Sequence, residues 1–249
     1  MKFKSNYIKP KFKKESNPKV GLLALSTDLT VEKDFNSICH KLPLDIFVNR
    51  IHNENPLTRE NLLKMYEQIE AITEKILPGE KINTVAYACT SGTIAIGEDK
   101  IKEKIQSVKP GCHVTTPITS AIKAFNKMNV KKIAVFTPYP ESVNKTISEY
   151  LVKKDINVIS FNTFNLDLDV DFARIDPEYL FEVLIKLNIN DADALFVSCT
   201  ALPVLEILDE VEKKINKPVF SSNQTLIWDT IRSAGYKNSI TGYGQLLRI

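Results

Sequence analysis

Short apolar runs alternate with stretches of helical periodicity along most of this chain. The runs are four to six residues long and predict buried strands, whereas apolar residues three and four positions apart predict amphipathic helices between them. Strands that alternate with helices indicate an α/β fold whose parallel sheets are covered by helices. The predicted strands are 20–25, 44–48, 84–88, 113–116, 132–137, 156–161, the run before Cys199, and 218–221.

These eight strands fall into two halves of four, so we expect two similar lobes, each a four-stranded parallel sheet flanked by helices. The segments 50–56 and 162–171 carry no apolar period and are predicted to be polar loops.

Stop signals set the expected lengths of the helices. One helix should run from a cap at Thr58 to the stop at Pro78-Gly79, and another from Cys89 to the stop at Pro110. A further helix is expected from about Leu202.

Two cysteines share one local context. Cys89 lies in AYACTSGT and Cys199 in LFVSCTAL, so that each thiol follows an apolar run and precedes a threonine. Open α/β sheets bind ligands beyond the carboxyl ends of their strands. A lone cysteine there is usually a small packing residue, but two suggest half-sites that face each other across a cleft. Cys39 and Cys112 lack this context and are expected to be packing residues.

A helix that starts after Cys89 would leave the backbone N–H groups of Thr90, Ser91 and Gly92 without partners inside the helix. Such N–H groups form an anion site. We expect the same positive helix end to lower the thiol pKa from its usual value of about 8.5.

Polar residues follow two further strands. Asp28 is either a cap of the next helix or a group that orients a thiol or accepts a proton, and the sequence leaves both open. Tyr139 is either a surface residue or a hydroxyl that binds a carboxylate. Ser26 and Thr27 are candidate hydroxyls at the rim of the site.

The segments ACTSGT and SCTALP resemble the aspartate/glutamate racemase superfamily, whose members use two facing cysteines and no cofactor. The resemblance is closest to the branch of maleate cis–trans isomerases, arylmalonate decarboxylases and ectoine-utilisation racemase-like proteins. GLLALSTDLTVEKDF at 21–35, FTPY at 136–139 and SSNQTLIWDTIR at 221–232 extend it over nearly everything from Val20 onward.

The resemblance implies an active site in the cleft between the lobes. It makes Cys89, Cys199 and Asp28 catalytic residues; related glutamate racemases have an Asp at the position of Asp28, where maleate isomerases have an Asn. It also implies that the C-terminal segment packs with the first lobe. The expected division is then a basic extension at 1–19, a first lobe at 20–116 plus 222–249, and a second lobe at 117–221. The resemblance also matches Tyr139 to a substrate-contacting tyrosine, and the full set of expected substrate-binding residues is Ser26, Thr27, Thr90, Ser91, Tyr139, Thr200 and Ala201.

The implied function is racemisation or isomerisation of a small amino or dicarboxylic acid without a cofactor. In a racemase, one thiolate removes a proton and the opposite thiol delivers one. In an isomerase, a thiolate adds to an alkene carbon and leaves after bond rotation. The alternatives are decarboxylation of an arylmalonate-type acid, which needs one cysteine, and a non-catalytic two-lobed carboxylate-binding protein.

Other classes of site lack their motifs. The chain has no GxGxxG after a strand, no GxxxxGK[ST] and no CxxC, and no Cys/His spacing fits a metal. The net charge of +3 comes from residues 1–19, which hold seven lysines and one glutamate (+6), so the rest carries 3 − 6 = −3. We therefore expect no nucleic acid or membrane partner, and no metal.

Four cysteines without a secretory leader indicate a reducing, cytoplasmic compartment. The extension at 1–19 is expected to be flexible and solvated. We also expect a homo-oligomer, either a dimer or a tetramer.

Overall fold

Two sheets of four parallel strands each form the frame of the protein in a computed structural model that describes residues 5–13 and 17–249. The strand order is β2-β1-β3-β4 in the first sheet and β6-β5-β7-β8 in the second, which confirms the predicted α/β fold. The strands are β1 (Lys19–Leu25), β2 (Asp45–Ile51), β3 (Thr84–Ala88), β4 (His113–Thr115), β5 (Lys132–Thr137), β6 (Asn157–Thr163), β7 (Ala194–Val197) and β8 (Val219–Ser221).

Helices cover both sheets. The α-helices are α1 (Val31–Cys39), α2 (Arg59–Lys64), α3 (Ile69–Glu74), α4 (Thr90–Ile96), α5 (Glu98–Val108), α6 (Pro117–Lys127), α7 (Glu141–Lys153), α8 (Asp169–Phe172), α9 (Pro177–Ile185), α10 (Leu208–Ile215) and α11 (Ser222–Ser233). Two 3₁₀ segments lie at Met65–Gln68 and Leu246–Arg248.

The central strands are apolar because both of their faces are covered. Every residue of β3 and β7 is buried, as expected for parallel strands packed between helices. Parallel pairing aligns β1 with β3 so that Ala24 lies opposite Ala88, and the residues that follow these two strands emerge at one edge of the sheet. Cys89 and the segment after Leu25 therefore emerge side by side.

Two predicted helices are broken by local features. The helix expected from Thr58 to Pro78 is interrupted by the 3₁₀ segment, whose Gln68 side chain makes two hydrogen bonds to the His52 backbone, of 3.1 and 2.9 Å. The helix expected from Cys89 to Pro110 breaks at Gly97, whose φ of +98° lies outside the helical region.

The helix predicted from about Leu202 is wrong. The chain after Cys199 forms turns, and α10 begins only at Leu208. Pro203 disfavours the helical conformation at Leu202, the residue before it. The two cysteine segments therefore differ, since only Cys89 is followed directly by a helix.

The last helix links the two halves of the chain. α11 follows β8 of the second sheet and packs against β3 and β4 of the first, where the hydroxyl oxygens of Thr230 and Thr115 lie 2.8 Å apart. α6 packs against the same helix, and its Phe125 makes edge-to-face contacts with Phe196 and Phe220 of the second sheet. The division at 116/117 and 221/222 stays a prediction.

Part of the predicted N-terminal extension lies outside the described residues, at 1–4 and 14–16. Residues 5–13 have no helix or strand, and their side chains are exposed. β1 already includes Lys19, whose N–H donates to Asn83 Oδ1 at 2.8 Å, so the last residue of the predicted extension belongs to the sheet. None of the described helices is long and apolar enough to cross a membrane.

Candidate active site

A narrow cavity of about 10 Å³, room for about one water molecule, lies between the two sheets, at the carboxyl ends of β1, β3 and β7. Eight of the residues expected at the site line it, together with two that were not expected, Leu25 and Asp169. The eight are Thr27, Asp28, Cys89, Ser91, Tyr139, Cys199, Thr200 and Ala201.

Cys89 is the cap residue of α4, and its sulfur accepts a hydrogen bond from the Gly92 N–H at 3.2 Å. The Ser91 hydroxyl lies 3.8 Å from the same sulfur. Position 92 must be glycine because a side chain there would collide with three neighbouring side chains. A Cβ there would lie 2.8 Å from the Cys89 sulfur, 2.7 Å from Met65 Cε and 2.9 Å from the Tyr87 hydroxyl.

Cys199 comes from the second sheet and has different neighbours. It follows β7, and burial raises the pKa of its thiol, while hydrogen bonding from the Tyr139 hydroxyl and from the Ala201 N–H acts in the opposite direction. Tyr139 is itself buried and lies two residues after the end of β5. The two cysteines thus reach one cavity from the two sheets.

Both thiols are protonated at neutral pH in this closed cavity. Burial, with smaller contributions from the carboxyl groups of Asp169 and Asp28, raises the pKa of Cys89 to about 12. Burial also raises the pKa of Cys199 far above its usual value. The expectation that the helix end would lower the Cys89 pKa is wrong in its net direction, because the Gly92 N–H acts against a larger effect of burial.

Asp28 both caps a helix and lines the cavity. Its Oδ1 accepts hydrogen bonds from the N–H groups of Thr30 at 2.8 Å and Val31 at 2.9 Å, at the start of α1. Its Oδ2 is buried and has no hydrogen-bond partner among the described residues. Burial has the largest effect on the Asp28 pKa and raises it, whereas the N–H groups of Val31 and Thr30 and the nearby Thr200 hydroxyl act in the opposite direction.

Asp169 is a cavity residue that sequence reasoning missed. Its Oδ2 accepts hydrogen bonds from Asn53 Nδ2 at 2.7 Å and from the Thr27 hydroxyl at 3.3 Å. Burial and the nearby charge of Asp28 raise its pKa to about 6. Asp169 lies in the segment 162–171, which was predicted to be a polar loop. In the structure this segment leads into the short helix α8, whose first residue is Asp169. The sequence held one hint, the aromatic residue Phe172 just after the polar stretch. The structure buries this side chain at the end of α8.

Two expected substrate-binding residues do not line the cavity. The Ser26 hydroxyl donates to Ile51 O at 3.1 Å, at the end of β2. The Thr90 hydroxyl lies 2.9 Å from the Ser222 hydroxyl, because that face of α4 is turned toward α11. Both side chains support the frame around the cavity rather than the cavity itself.

Cys39 and Cys112 are buried and do not line the cavity. Within residues 5–13 and 17–249, no three His, Cys, Asp or Glu side chains are grouped in a way that could hold a metal ion.

Comparison with known proteins identifies the family. The family model of arylmalonate decarboxylase matches residues 59–247. The maleate isomerase of Geobacillus stearothermophilus is 23% identical over 245 residues, which cover 92% of this chain and 96% of that protein. The arylmalonate decarboxylase of Bordetella bronchiseptica is 27% identical over 139 residues, 55% of this chain and 58% of that protein.

Solved structures of both kinds share the fold. The crystal structure of the maleate isomerase Iso from Pseudomonas putida S16 matches with a TM-score of 0.85 and 19% identity, over 94% of this chain and 99% of that one. Unliganded arylmalonate decarboxylase matches with a TM-score of 0.75 and 20% identity, over 93% and 99%. The chain therefore belongs to the arylmalonate decarboxylase family, in the branch of the aspartate/glutamate racemase superfamily that also contains maleate isomerases.

Proposed function

We propose that this protein is a cofactor-independent racemase or isomerase of a small amino or dicarboxylic acid, and that Cys89 and Cys199 carry out the reaction. One observation supports this most strongly: the two thiols line the same narrow cavity, one from each sheet. A planar reacting carbon between them would have one sulfur on each face. Inversion at carbon needs such an arrangement, with a base on one side and an acid on the other.

Both thiols start protonated, so the reaction needs a group that takes one thiol proton. Asp169 and Asp28 are the carboxyl groups whose charges act on both sulfurs. Asp169, with a pKa of about 6, is mostly ionised at neutral pH and is our candidate for that acceptor, although the transfer is uphill from a thiol whose pKa is about 12. The Gly92 N–H stabilises a thiolate at Cys89, and the Tyr139 hydroxyl stabilises one at Cys199.

The thiolate formed in this way has two possible uses. It removes the proton alpha to a carboxylate, after which the opposite thiol protonates the other face. Alternatively, it adds to an alkene carbon, the new single bond rotates, and the thiolate leaves. The second use is supported by a solved relative, a mutant of Nocardia farcinica maleate cis–trans isomerase with a covalently bound succinylcysteine intermediate.

A decarboxylase is the second candidate, because the family model and the relative from Bordetella bronchiseptica are arylmalonate decarboxylases. Decarboxylation leaves a carbanion that a single thiol protonates. The presence of two thiols in the cavity favours racemisation or isomerisation over this reaction.

Turnover in D₂O separates these reactions. A thiol exchanges its hydrogen with solvent, so a racemase places deuterium at the alpha carbon of the inverted product and, early on, little in the remaining substrate. Addition and rotation leave every carbon–hydrogen bond intact, so an isomerase gives an unlabelled geometric isomer. A decarboxylase releases CO₂ and a deuterated product. Mass spectrometry of the products decides among the three, and a labelled product formed without inversion or with CO₂ release contradicts the first proposal.

A further inference from the structure

A second tyrosine, Tyr87, lies close to one of the two thiols. It is two positions before Cys89 in extended chain, so both side chains are on the same face of the sheet, and it is fully buried. Among the described residues, its hydroxyl donates only to the Met65 sulfur, at 3.8 Å. Buried tyrosine hydroxyls usually find a hydrogen-bond partner, and a thioether sulfur is a weak acceptor. The Tyr87 hydroxyl therefore has donor capacity that the resting structure hardly uses.

The space left by Gly92 connects this hydroxyl with the Cys89 sulfur. A Cβ at position 92 would lie 2.9 Å from the Tyr87 oxygen and 2.8 Å from the sulfur. The two atoms thus border the same small gap, which the glycine keeps free of side-chain atoms. A short movement of the hydroxyl away from Met65 would bring it to the sulfur.

Tyr87 approaches the sulfur from outside the cavity. Its side chain is absent from the cavity lining, whereas Cys89 and Tyr139 belong to that lining. A hydrogen bond from Tyr87 would leave the side of the sulfur that faces the cavity free to react with a substrate. Cys199 already has a corresponding donor in the Tyr139 hydroxyl. Each of the two thiols would then have one tyrosine.

Cys89 needs a further donor because the proposed reaction requires a thiolate in a buried site. Its present donors are the Gly92 N–H at 3.2 Å and the Ser91 hydroxyl at 3.8 Å. A hydrogen bond to the charged form of a group favours that form. Burial, with a smaller contribution from a charge on Cys89, raises the pKa of Tyr87 well above its usual value. The Tyr87 hydroxyl therefore keeps its proton and remains a donor.

We infer that Tyr87 is a positioning residue of the reaction: its hydroxyl turns from Met65 to the Cys89 sulfur and donates a hydrogen bond to it when the thiolate forms. The inference rests on the proposed two-thiol function and adds a residue to it. Tyr87, Cys89, Gly92 and Met65 all belong to the first half of the chain. The hydrogen bond can therefore form whether the two halves are close together or apart.

Alkylation of the thiols tests this without a substrate. Full-length wild type and Tyr87→Phe are treated with iodoacetamide at pH 8, and mass spectrometry of the peptides gives separate rates at Cys89 and Cys199. Because both thiols line one cavity, the Cys89:Cys199 rate ratio cancels changes in how often that cavity opens. Tyr87→Phe should lower the ratio about tenfold or more, the usual effect of one hydrogen bond to a charged group.

Three further variants show whether the hydroxyl itself is responsible. Tyr139→Phe should raise the ratio, because it removes the donor to Cys199. Met65→Leu keeps a similar volume but removes the present acceptor of the Tyr87 hydroxyl, and should also raise the ratio. The matched control is Tyr66→Phe, which removes a hydroxyl from the neighbouring residue of the 3₁₀ segment, outside the cavity lining, and should leave the ratio unchanged.

Turnover gives a second readout. With an acid that the protein turns over, Tyr87→Phe should lower kcat about tenfold and leave KM nearly unchanged, because Tyr87 acts on the thiolate and does not line the cavity. A changed KM with an unchanged kcat would overturn the inference.

The outcomes separate the inference from the proposed function. An unchanged alkylation ratio in Tyr87→Phe overturns the inference, even where turnover still depends on both cysteines. A ratio that falls in Met65→Leu or in Tyr66→Phe also overturns it, because packing around Cys89 rather than the Tyr87 hydroxyl would then set the reactivity. Turnover that survives loss of either thiol contradicts the proposed function instead.

Discussion

Burial is the largest influence on the individual residues of the cavity. It raises the pKa of Cys89 and Cys199 and of Asp28 and Asp169, so the site without substrate is closer to neutral than its composition suggests. A reaction that needs a thiolate must therefore create it by moving a proton within the cavity. The carboxyl groups are the natural acceptors.

Asp28→Asn tests that role. Asparagine can still accept the N–H groups of Thr30 and Val31 through its oxygen, so the cap on α1 is kept and stability should change by about 1 kcal/mol or less. The loss of a proton acceptor should lower the rate about 10²-fold or more. Kinetics and a melting curve on the same variant measure both effects; an unchanged rate would leave Asp28 as a cap alone.

Asp169 predicts a pH dependence of stability. Its pKa of about 6 in the folded protein exceeds the value of 3.8 expected for the unfolded chain. The folded state therefore binds more protons between these values, and this group lowers stability as the pH rises from about 4 to about 6. Asp169→Asn should remove that part of the slope, whereas Asp171→Asn should keep it. Urea unfolding at pH 4.5 and pH 7 measures the slopes, and equal slopes in wild type and Asp169→Asn would contradict the buried position of the carboxyl group.

At the scale of elements, the turn from β3 into α4 places Cys89. Gly92→Ala should destabilise the protein by about 1–3 kcal/mol and reduce turnover, because the new Cβ would press on the Cys89 sulfur, Met65 and Tyr87. Gly21→Ala is the control, since a Cβ on β1 would meet its nearest atoms at an ordinary 3.4 Å. Chemical denaturation of both variants measures their free energies of unfolding. Equal values would contradict the prediction, because they would mean that the residues around position 92 can shift to accommodate a Cβ.

The central strands could be predicted closely because a buried parallel strand is apolar along its whole length, whereas the partly exposed strands β2 and β6 run two or three residues past their predicted ends. The breaks in the helices could not. In the 3₁₀ segment, the Gln68 side chain forms hydrogen bonds with the backbone of His52. His52 lies sixteen positions earlier, outside the helical sequence pattern. The turns after Cys199 are consistent with Pro203, which disfavours a helical conformation at Leu202.

The cysteines could be located from their strand context, whereas Asp169 could not. Its hydrogen-bond partners, Asn53 and Thr27, lie more than a hundred positions away in the chain. The alternating acids at 167, 169 and 171 look alike in sequence, and only tertiary packing buries one carboxyl group and exposes another.

For the molecule as a whole, hydrogen bonds between the two halves of the chain hold the cavity closed. The Thr30 hydroxyl donates to Ala201 O at 2.7 Å, and the Asn223 amide donates to both Thr200 O and Asp34 at 2.7 Å. We expect these contacts to loosen when a substrate enters the cavity. The expected homo-oligomer stays a prediction, which light scattering of the purified protein can test.

The rates of four cysteine variants test the central claim most directly. With an acid that the protein turns over, Cys89→Ser and Cys199→Ser should each abolish turnover, because each face of the reacting carbon needs its own sulfur. Cys39→Ser and Cys112→Ala should retain it, since both residues are buried and lie outside the cavity lining. Near-normal turnover in either Cys89→Ser or Cys199→Ser would contradict the two-thiol mechanism.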